Sequence, residues 1–475
     1  MVAPRGDRPQ QEDYRPRPCG DRHACARPDD RRAEYSGSRQ GERDMRLGTR
    51  RNSHKPFAIL DIGSSKICCM IGEIDKLGTL SLIGQGTHAS AGMRAGEVNV
   101  LSEFSDAIGN CVQSAERAAG LSITSVSVVM PGGRPHSAFG TQHMTLSDST
   151  VSRRDIRRLL DRCGAQALDP ALQLMQFHPL HYSLDEMRGI ADPAGMRGNK
   201  LSVDYLTVAA SRTSLSNIIE ALALNHLRVD RFIHAGYAAG LACLGEEERE
   251  LGCTVIDLGG GTSSAAIFMD GKLIYVDTVP VGGQHVTTDI ARILSTPLGE
   301  AERLKAVHGS ITPVDAMAKA PSPVRQAVQL GMSDNITIPG LGDVIEAGGK
   351  TIERSLLSAV IKPRIEEVVE LLTDRMRAAR MEYAAGNRFV LTGGASQLTG
   401  IADFCAQLAG RNVVLGQPSG ISNLAVEETS RSSAAAVGAL IHVSRLTADD
   451  PAERQTRTLP HGPMERLGAW FRDNL

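Results

Sequence analysis

The sequence has no apolar run near the ~20 residues a membrane-spanning helix needs, and its N-terminal residues contain no secretory apolar core. A soluble chain is expected, one that can still attach to a membrane surface. An excess of either charge is also missing. The formal net charge is -2 and no basic run stands out, so no nucleic-acid partner is expected. The nine cysteines include no Cys-x-x-Cys, and no His pair lies at zinc spacing. Buried or incidental thiols in a reducing compartment fit this pattern better than a disulfide framework or a zinc site. A Walker A loop is absent as well: Gly349-Lys350-Thr351 lacks the upstream glycine at the required spacing.

The 475 residues leave room for about two to four domains, and 41% hydrophobic content is enough for a core. Residues 1–55 are dense in Arg, Asp, Glu and Pro and nearly free of aliphatics. Such a segment cannot bury enough surface to offset its ordering entropy, and disorder is expected there. Met45 stands just ahead of the first apolar run and is a candidate native start. Mass spectrometry of the natural N-terminus tests this, and a peptide from within residues 1–44 would refute it.

Glycine is concentrated at informative places. "FAILDIGSSKICCMIGEIDKLGTLSLIGQG" reads as a buried strand Phe57–Leu60, a Gly-Ser-Ser turn, a strand Ile67–Ile74, a turn, and a strand Leu80–Gly84. "CTVIDLGGGTSSAAIFMDGKLIYVDT" follows the same plan: strand Thr254–Ile256, a Gly-rich turn, strand Ser264–Phe268, a hairpin at Asp270–Gly271, strand Leu273–Val276. Asp61 and Asp257 occupy matching places, so the chain carries an internal repeat at domain scale.

A dinucleotide fingerprint or P-loop needs a helix after its glycines, and here a strand follows both times. What remains is two hairpin tips rich in unobstructed backbone N–H groups, each able to form an anion nest. Two such tips facing each other suit a polyphosphate held from both sides. The tip residues are Gly63, Ser64, Ser65 and Lys66 in the first copy and Gly259, Gly260, Gly261 and Thr262 in the second. An Asp at each strand end, Asp61 and Asp257, would attract the accompanying hard cation through water. For one such hairpin an ordinary turn is an equal reading; two matched copies argue against it. A third glycine site, Gly393-Gly394-Ala395, follows a strand Phe389–Thr392 and precedes a helix expected near Gln397. It would approach the nucleoside end.

Between the repeats, Leu101–Leu121 reads as a helix with Phe104, Ile108, Cys111 and Val112 on its apolar side. "SRRDIRRLLDRCGAQAL" reads as a helix with Ser152 as N-cap and Asp155 in the first turn. Its Arg153, Arg154, Arg157 and Arg158 read as a solvated basic face. "KLSVDYLTVAAS" resumes the sheet. Later helices are expected at "SNIIEALALNHL", "TDIARIL", "GEAERLKAVHG" and Ile352–Met381. Pro363 should kink the last of these or start a new helix. "SSAAAVGALIHVSRL" is the final helix of the globular part.

A polar, Pro-bearing linker follows, then "MERLGAWFRDNL". On a helix, Met464, Leu467, Trp470, Phe471 and Leu475 share one side, and Trp470 is the chain's single Trp. Spacing alone fits an interfacial membrane anchor and a helix docked on protein equally well.

The ordered motifs resemble the actin-like ATPase superfamily, and within it the FtsA family of bacterial cell-division proteins. "ILDIGSSKICCMIGE" looks like the first phosphate motif, "GCTVIDLGGGTSSAAIF" the second, and "VLTGGASQLTGI" the adenosine motif. "HAGYAAGLACL" is similar to the connecting helix. The likeness covers roughly residues 56–475. It implies an α/β, actin-like two-lobed fold, with ribonuclease-H-like duplicated mixed sheets, flanking helices and a family-specific inserted subdomain.

The implied boundaries begin with an N-terminal extension (1–55), the first lobe (56–97 and 181–230) and the inserted subdomain (98–180). The second lobe follows (231–294 and 351–430), with a smaller subdomain at 295–350. A terminal helix of the first lobe (431–447), a linker (448–461) and the amphipathic helix (462–475) complete the chain. The resemblance also implies ATP with Mg2+ in the cleft, actin-like self-polymerisation, and binding of the acidic FtsZ tail, with Arg354 and Arg364 as receiving residues. Contacts of late division proteins with the inserted subdomain are implied too, as is peripheral attachment to the cytoplasmic face of the inner membrane. Ser264 stands where many relatives carry Asp; at most slow ATPase activity is expected, and no catalytic residue is assigned. A metabolite kinase of the same superfamily and a pilus-type membrane adaptor are the alternative readings.

Overall fold

The computed structural model describes residues 56–75, 78–130, 132–164, 169–311, 335–338, 350–424 and 430–449. The expected extension 1–55, nearly all of the linker 448–461 and the amphipathic helix 462–475 lie outside the described residues, as does most of the expected subdomain at 295–350.

The chain opens with β1 (Phe57–Ile62), β2 (Lys66–Ile74), β3 (Leu80–Ala89), β4 (Met93–Arg94), β5 (Glu97–Val98), α1 (Leu101–Ala119) and β6 (Ser125–Met130). An antiparallel unit follows: β7 (His136–Thr145), α2 (Arg153–Gly164), β8 (Leu172–Leu184), β9 (Met187–Ile190) and β10 (Lys200–Ser211). Then come α3 (Arg212–Ala223), β11 (Arg228–His234), α4 (Ala235–Cys243) and α5 (Glu246–Leu251). The second half holds β12 (Cys253–Leu258), β13 (Ser263–Met269), β14 (Lys272–Val279), α6 (Gly283–Leu294) and α7 (Leu298–His308). It continues with β15 (Asn335–Ile338), β16 (Lys350–Glu353), α8 (Arg354–Ala378), β17 (Arg388–Thr392), α9 (Ile401–Ala409), β18 (Asn412–Leu415) and α10 (Ala434–Asp449).

The repeat read from the motifs is a repeat of sheet topology. One five-stranded sheet runs β11-β6-β1-β2-β3, the other β18-β17-β12-β13-β14. In each, a three-stranded antiparallel meander adds two parallel strands beside its first member. The irregularities of the two meanders match. The first sheet slips register after Ile71 and the second after Ile267, each ten residues beyond its aspartate (Asp61, Asp257). The near-continuous apolar runs of β1, β2 and β13 are buried because helices cover both faces of each sheet.

Between the sheets α4 packs lengthwise on α10. Its sequence, AGYAAGLAC, is buried from Ala235 to Ala242, which is possible because small residues let two helix backbones approach closely. α1 buries Phe104, Ile108, Cys111 and Val112 against β2 and β3, as its spacing predicts. At the start of α2 the expected cap forms a reciprocal box: Asp155 N–H donates to Ser152 Oγ at 3.2 Å and Ser152 N–H to Asp155 Oδ2 at 3.0 Å.

Three sequence expectations are corrected. The inserted unit does not run 98–180. α1 and β6 belong to the first five-stranded sheet, and the separate four-stranded sheet, β7-β10-β8-β9, spans His136 to Ser211. The helix expected from Ile352 begins at Arg354, since Lys350–Glu353 pairs with β15. α8 then runs unbroken through Pro363, because buried Val360, Ile361, Ile365 and Val368 on both sides of the proline hold it in place. The helix expected near Gln397 is a 3-10 turn at Gly394–Gln397; α9 starts at Ile401, after Gly400 turns left-handed at φ 81°.

Candidate functional site

Two four-residue tips form the site. In the first, Ile62 pairs with Ile67 across Gly63–Lys66; in the second, Leu258 pairs with Ser263 across Gly259–Thr262. The geometry repeats. A Cβ on Gly63 would stand 2.6 Å from the Lys66 carbonyl oxygen, and a Cβ on Gly259 would stand 2.8 Å from that of Thr262. Both tips therefore close only around glycine.

The tips meet. A Cβ on Gly260 would lie 3.2 Å from Ser65 Cβ, and one on Gly261 would run into the Ser64 side chain. Gln284, at the start of α6, joins them: its N–H donates to Gly260 O at 2.7 Å and its Nε2 to Ser64 O at 2.9 Å. The Gly259 and Gly260 carbonyls are both engaged by α6. Among the described residues, the amides of Ser64, Ser65, Gly260, Gly261 and Thr262 donate to no protein acceptor. The Ser64 hydroxyl is buried and also lacks a partner. This is a cradle of donors suited to an anion.

Asp61 and Asp257 sit at the strand ends below the tips. Burial pushes Asp61 up to about 7; the nearby Asp257 adds to the rise and Lys66 partly offsets it. Burial pushes Asp257 up to about 6. Two desolvated carboxylates acting on each other fit a divalent cation, which would relieve both. Among the described residues no cluster of three or more metal-ligating side chains occurs. Any ion here would draw its remaining ligands from water and phosphate, as Mg2+ does.

Gly393 brings the third loop in at φ 87°, beside the Asp257 carboxylate and Leu258 O. Ala395 faces Gly283 of α6, and Lys305 of α7 reaches the same place. Lys305 Nζ donates to Gly283 O at 3.0 Å, Thr287 Oγ1 at 2.8 Å and Glu302 Oε2 at 2.7 Å. The structure thus brings together all thirteen residues expected at the nucleotide. Gln284, Glu302 and Lys305, which lie beside these loops, were not singled out from sequence; the signal for Gln284 was the Gly282-Gly283 pair opening a helix right after the β-meander.

Ser264 does not enter the cleft as an acid would. It is buried and hydrogen-bonded to Thr278 Oγ1 at 2.9 Å, which in turn meets His234 Nε2 at 3.0 Å. Of the two arginines expected at the partner surface, Arg364 is committed: it forms a two-pronged pair with Asp289 at 2.7 and 3.1 Å and also binds Glu367. Arg354 lies beside His308 Nδ1 at 3.4 Å and keeps a buried Nε without a partner. The five apolar tail residues lie outside the described residues.

Duplicated sheets with this topology, two matched tips that meet and a third loop beside them define the actin-like ATPase fold. A solved structure described as the PilM-PilN type IV pilus biogenesis complex is similar in fold, with a TM-score of 0.54 and 16% identity over 81% of this chain and 98% of that one. The family model for cell division protein FtsA matches residues 254–438, and the model for the SHS2 domain inserted in FtsA matches 132–209, the four-stranded unit. The cell division protein FtsA of Rhizobium meliloti (strain 1021) is 35% identical over 431 residues, 88% of this chain and 94% of its own length. FtsA of Escherichia coli (strain K12) is 28% identical over 87% and 96%. The chain belongs to the FtsA family of cell division proteins.

Proposed function

We propose that the chain binds ATP with Mg2+ between its two tips and, as a polymerising adaptor, holds FtsZ filaments to the cytoplasmic face of the inner membrane at the division septum. The observation that carries the nucleotide reading is the matched pair of tips, whose free amides and orphaned Ser64 hydroxyl lie beside two half-buried, desolvated carboxylates. Phosphate oxygens accept from those amides, and Lys66 adds a positive charge. Asp61 and Asp257 hold the hydrated cation, which when bound neutralises phosphate charge. Gly393, Gly394 and Ala395 take the nucleoside end beside Lys305 and Glu302. Ser264 is tied into the sheet, and no side chain is assigned as a general base, so hydrolysis is slow at most.

Membrane attachment rests on the tail. Burying Trp470, Phe471, Leu467 and Leu475, with Met464 beside them, contributes about 1.5–3 kcal/mol for each large side chain, less ordering costs. One such helix is marginal, and a polymer presenting many binds far more firmly through avidity. Among the described residues no helix is long and apolar enough to cross a membrane. The acidic FtsZ tail is received near Arg354, and late division proteins meet the inserted sheet.

Liposome co-sedimentation of the intact chain and of one ending at Pro460, each with and without ATP, tests this reading. The intact chain should sediment more completely with ATP, and the shortened chain should stay in the supernatant. Equal sedimentation of both chains would refute the tail's role. Capture by an FtsZ tail peptide separates this reading from a pilus-type adaptor.

A further inference from the structure

We propose that Ser432, in the turn that opens α10, is a positioning residue that aims Lys66 at the nucleotide phosphates; this rests on the nucleotide reading above. Lys66 ends the first tip, and its Nζ donates to Ser432 Oγ at 3.0 Å across 366 positions of sequence. With Ser432 accepting from Lys66, its own proton goes to Ser430 Oγ, 3.2 Å away, which also accepts from Gln397 Nε2 at 3.4 Å.

The segment is itself held by the third glycine loop. Arg431 O accepts from Gly393 N at 3.1 Å and from Thr392 Oγ1 at 3.2 Å, and Arg431 Nη1 donates to Ser396 O at 3.2 Å. Residues 430–432 are therefore anchored on the nucleoside side of the cleft and reach Lys66 on the phosphate side.

The chemistry of the partner matters. A lysine ammonium is a point charge on a flexible four-carbon stem with three donors. A carboxylate partner would orient it and cancel its charge, as Asp289 and Glu367 do for Arg364. A hydroxyl orients it and leaves the charge intact. One donor is fixed on Ser432, and the other two remain for phosphate oxygens.

The test uses the full chain and measures binding of ATP, ADP and adenosine by displacement of a fluorescent ADP. Wild type, Lys66→Ala, Ser432→Ala, Ser432→Thr and the Lys66→Ala/Ser432→Ala double variant are compared, with urea midpoints measured on each. Ser432→Ala should weaken ATP and ADP by roughly three- to tenfold, the scale of one typical hydrogen bond. Adenosine binding and the urea midpoint should not change, and Ser432→Thr should restore affinity. In the Lys66→Ala background the serine change should cost nothing more.

Wild-type ATP affinity in Ser432→Ala would overturn the proposal. A parallel loss of adenosine affinity, or a further loss in the double variant, would overturn it too by making the serine a support of the loop. If Lys66→Ala weakens ATP and Ser432→Ala does not, only this inference falls. If the folded wild type takes up neither ATP nor ADP, the nucleotide reading falls and takes this inference with it.

Discussion

Gly438 of α10 lies against Ala238 of α4 so closely that a methyl group on the glycine would overlap the Ala238 carbonyl oxygen. These two helices supply much of the apolar cluster that joins both five-stranded sheets, from Ile59 and Met70 to Val255 and Phe268. Gly438→Ala must push the helices apart. A loss of roughly 1–3 kcal/mol is expected, the usual cost of overpacking a close-packed core. Urea denaturation measures it, and an unchanged midpoint would contradict the packing described.

The floor of the cleft predicts a pH dependence of known sign. Asp61 is raised to about 7 by burial, by Asp257 and against Lys66, from an ordinary value near 3.8. Its contribution to stability is full below that ordinary value and is lost as pH rises to about 7. Asp61→Asn should therefore stabilise the nucleotide-free protein at pH 8, on the order of 2 kcal/mol. The gain should shrink as pH falls towards 4. Thermal unfolding of both proteins across that range is the check, and a gain independent of pH would count against a desolvated carboxylate here.

His234 predicts the opposite slope. It is fully buried with its Nδ1 unpartnered, and burial pushes it down to about 3. The neutral ring is favoured in the fold, so its contribution is present above about 6.5 and is lost as pH falls from there towards 3. His234→Asn should remove that acid-side loss whatever its effect at pH 8. The measurement is the slope of stability between pH 6.5 and 4, variant against wild type; equal slopes would contradict the assignment.

Gln284 is expected to matter to nucleotide and little to the fold. Gln284→Ala removes the side-chain hydrogen bond that, among the described residues, joins α6 to the first tip, Nε2 to Ser64 O. A loss near 1 kcal/mol in ATP binding, about fivefold, should follow. Titration calorimetry of the variant reads this, and full wild-type affinity would show that the tips need no brace.

Much of the architecture was legible from local pattern. Each aspartate marked a strand end, each glycine run a tip, and the doubled plan gave the doubled sheet. What stayed hidden depended on distant partners. Ile352 looked helical because its apolar spacing continues into α8, and only its pairing with Asn335–Ile338 makes it a strand. Pro363 reads as a kink or a new start, and the helix runs on through it with buried residues on both sides. The inserted unit began late because β6, although followed by a new sheet, is claimed by β1 and β11. At the tips, glycines announce themselves in sequence, but Gln284 and Ser432, which contact the first tip, and Lys305, which contacts Gly283, are ordinary polar residues until the fold delivers them. Arg364 shows the reverse: a cation that looked available is matched to Asp289.

The central claim is that two mirrored tips grip one nucleotide with its cation. Titration calorimetry of Mg-ATP into the folded full-length chain, beside Gly63→Leu and Gly260→Leu variants of confirmed fold, tests it most directly. One ATP per chain for the wild type and no measurable heat for either variant is the predicted result. Absence of uptake by the wild type, or undiminished uptake by both variants, would contradict it.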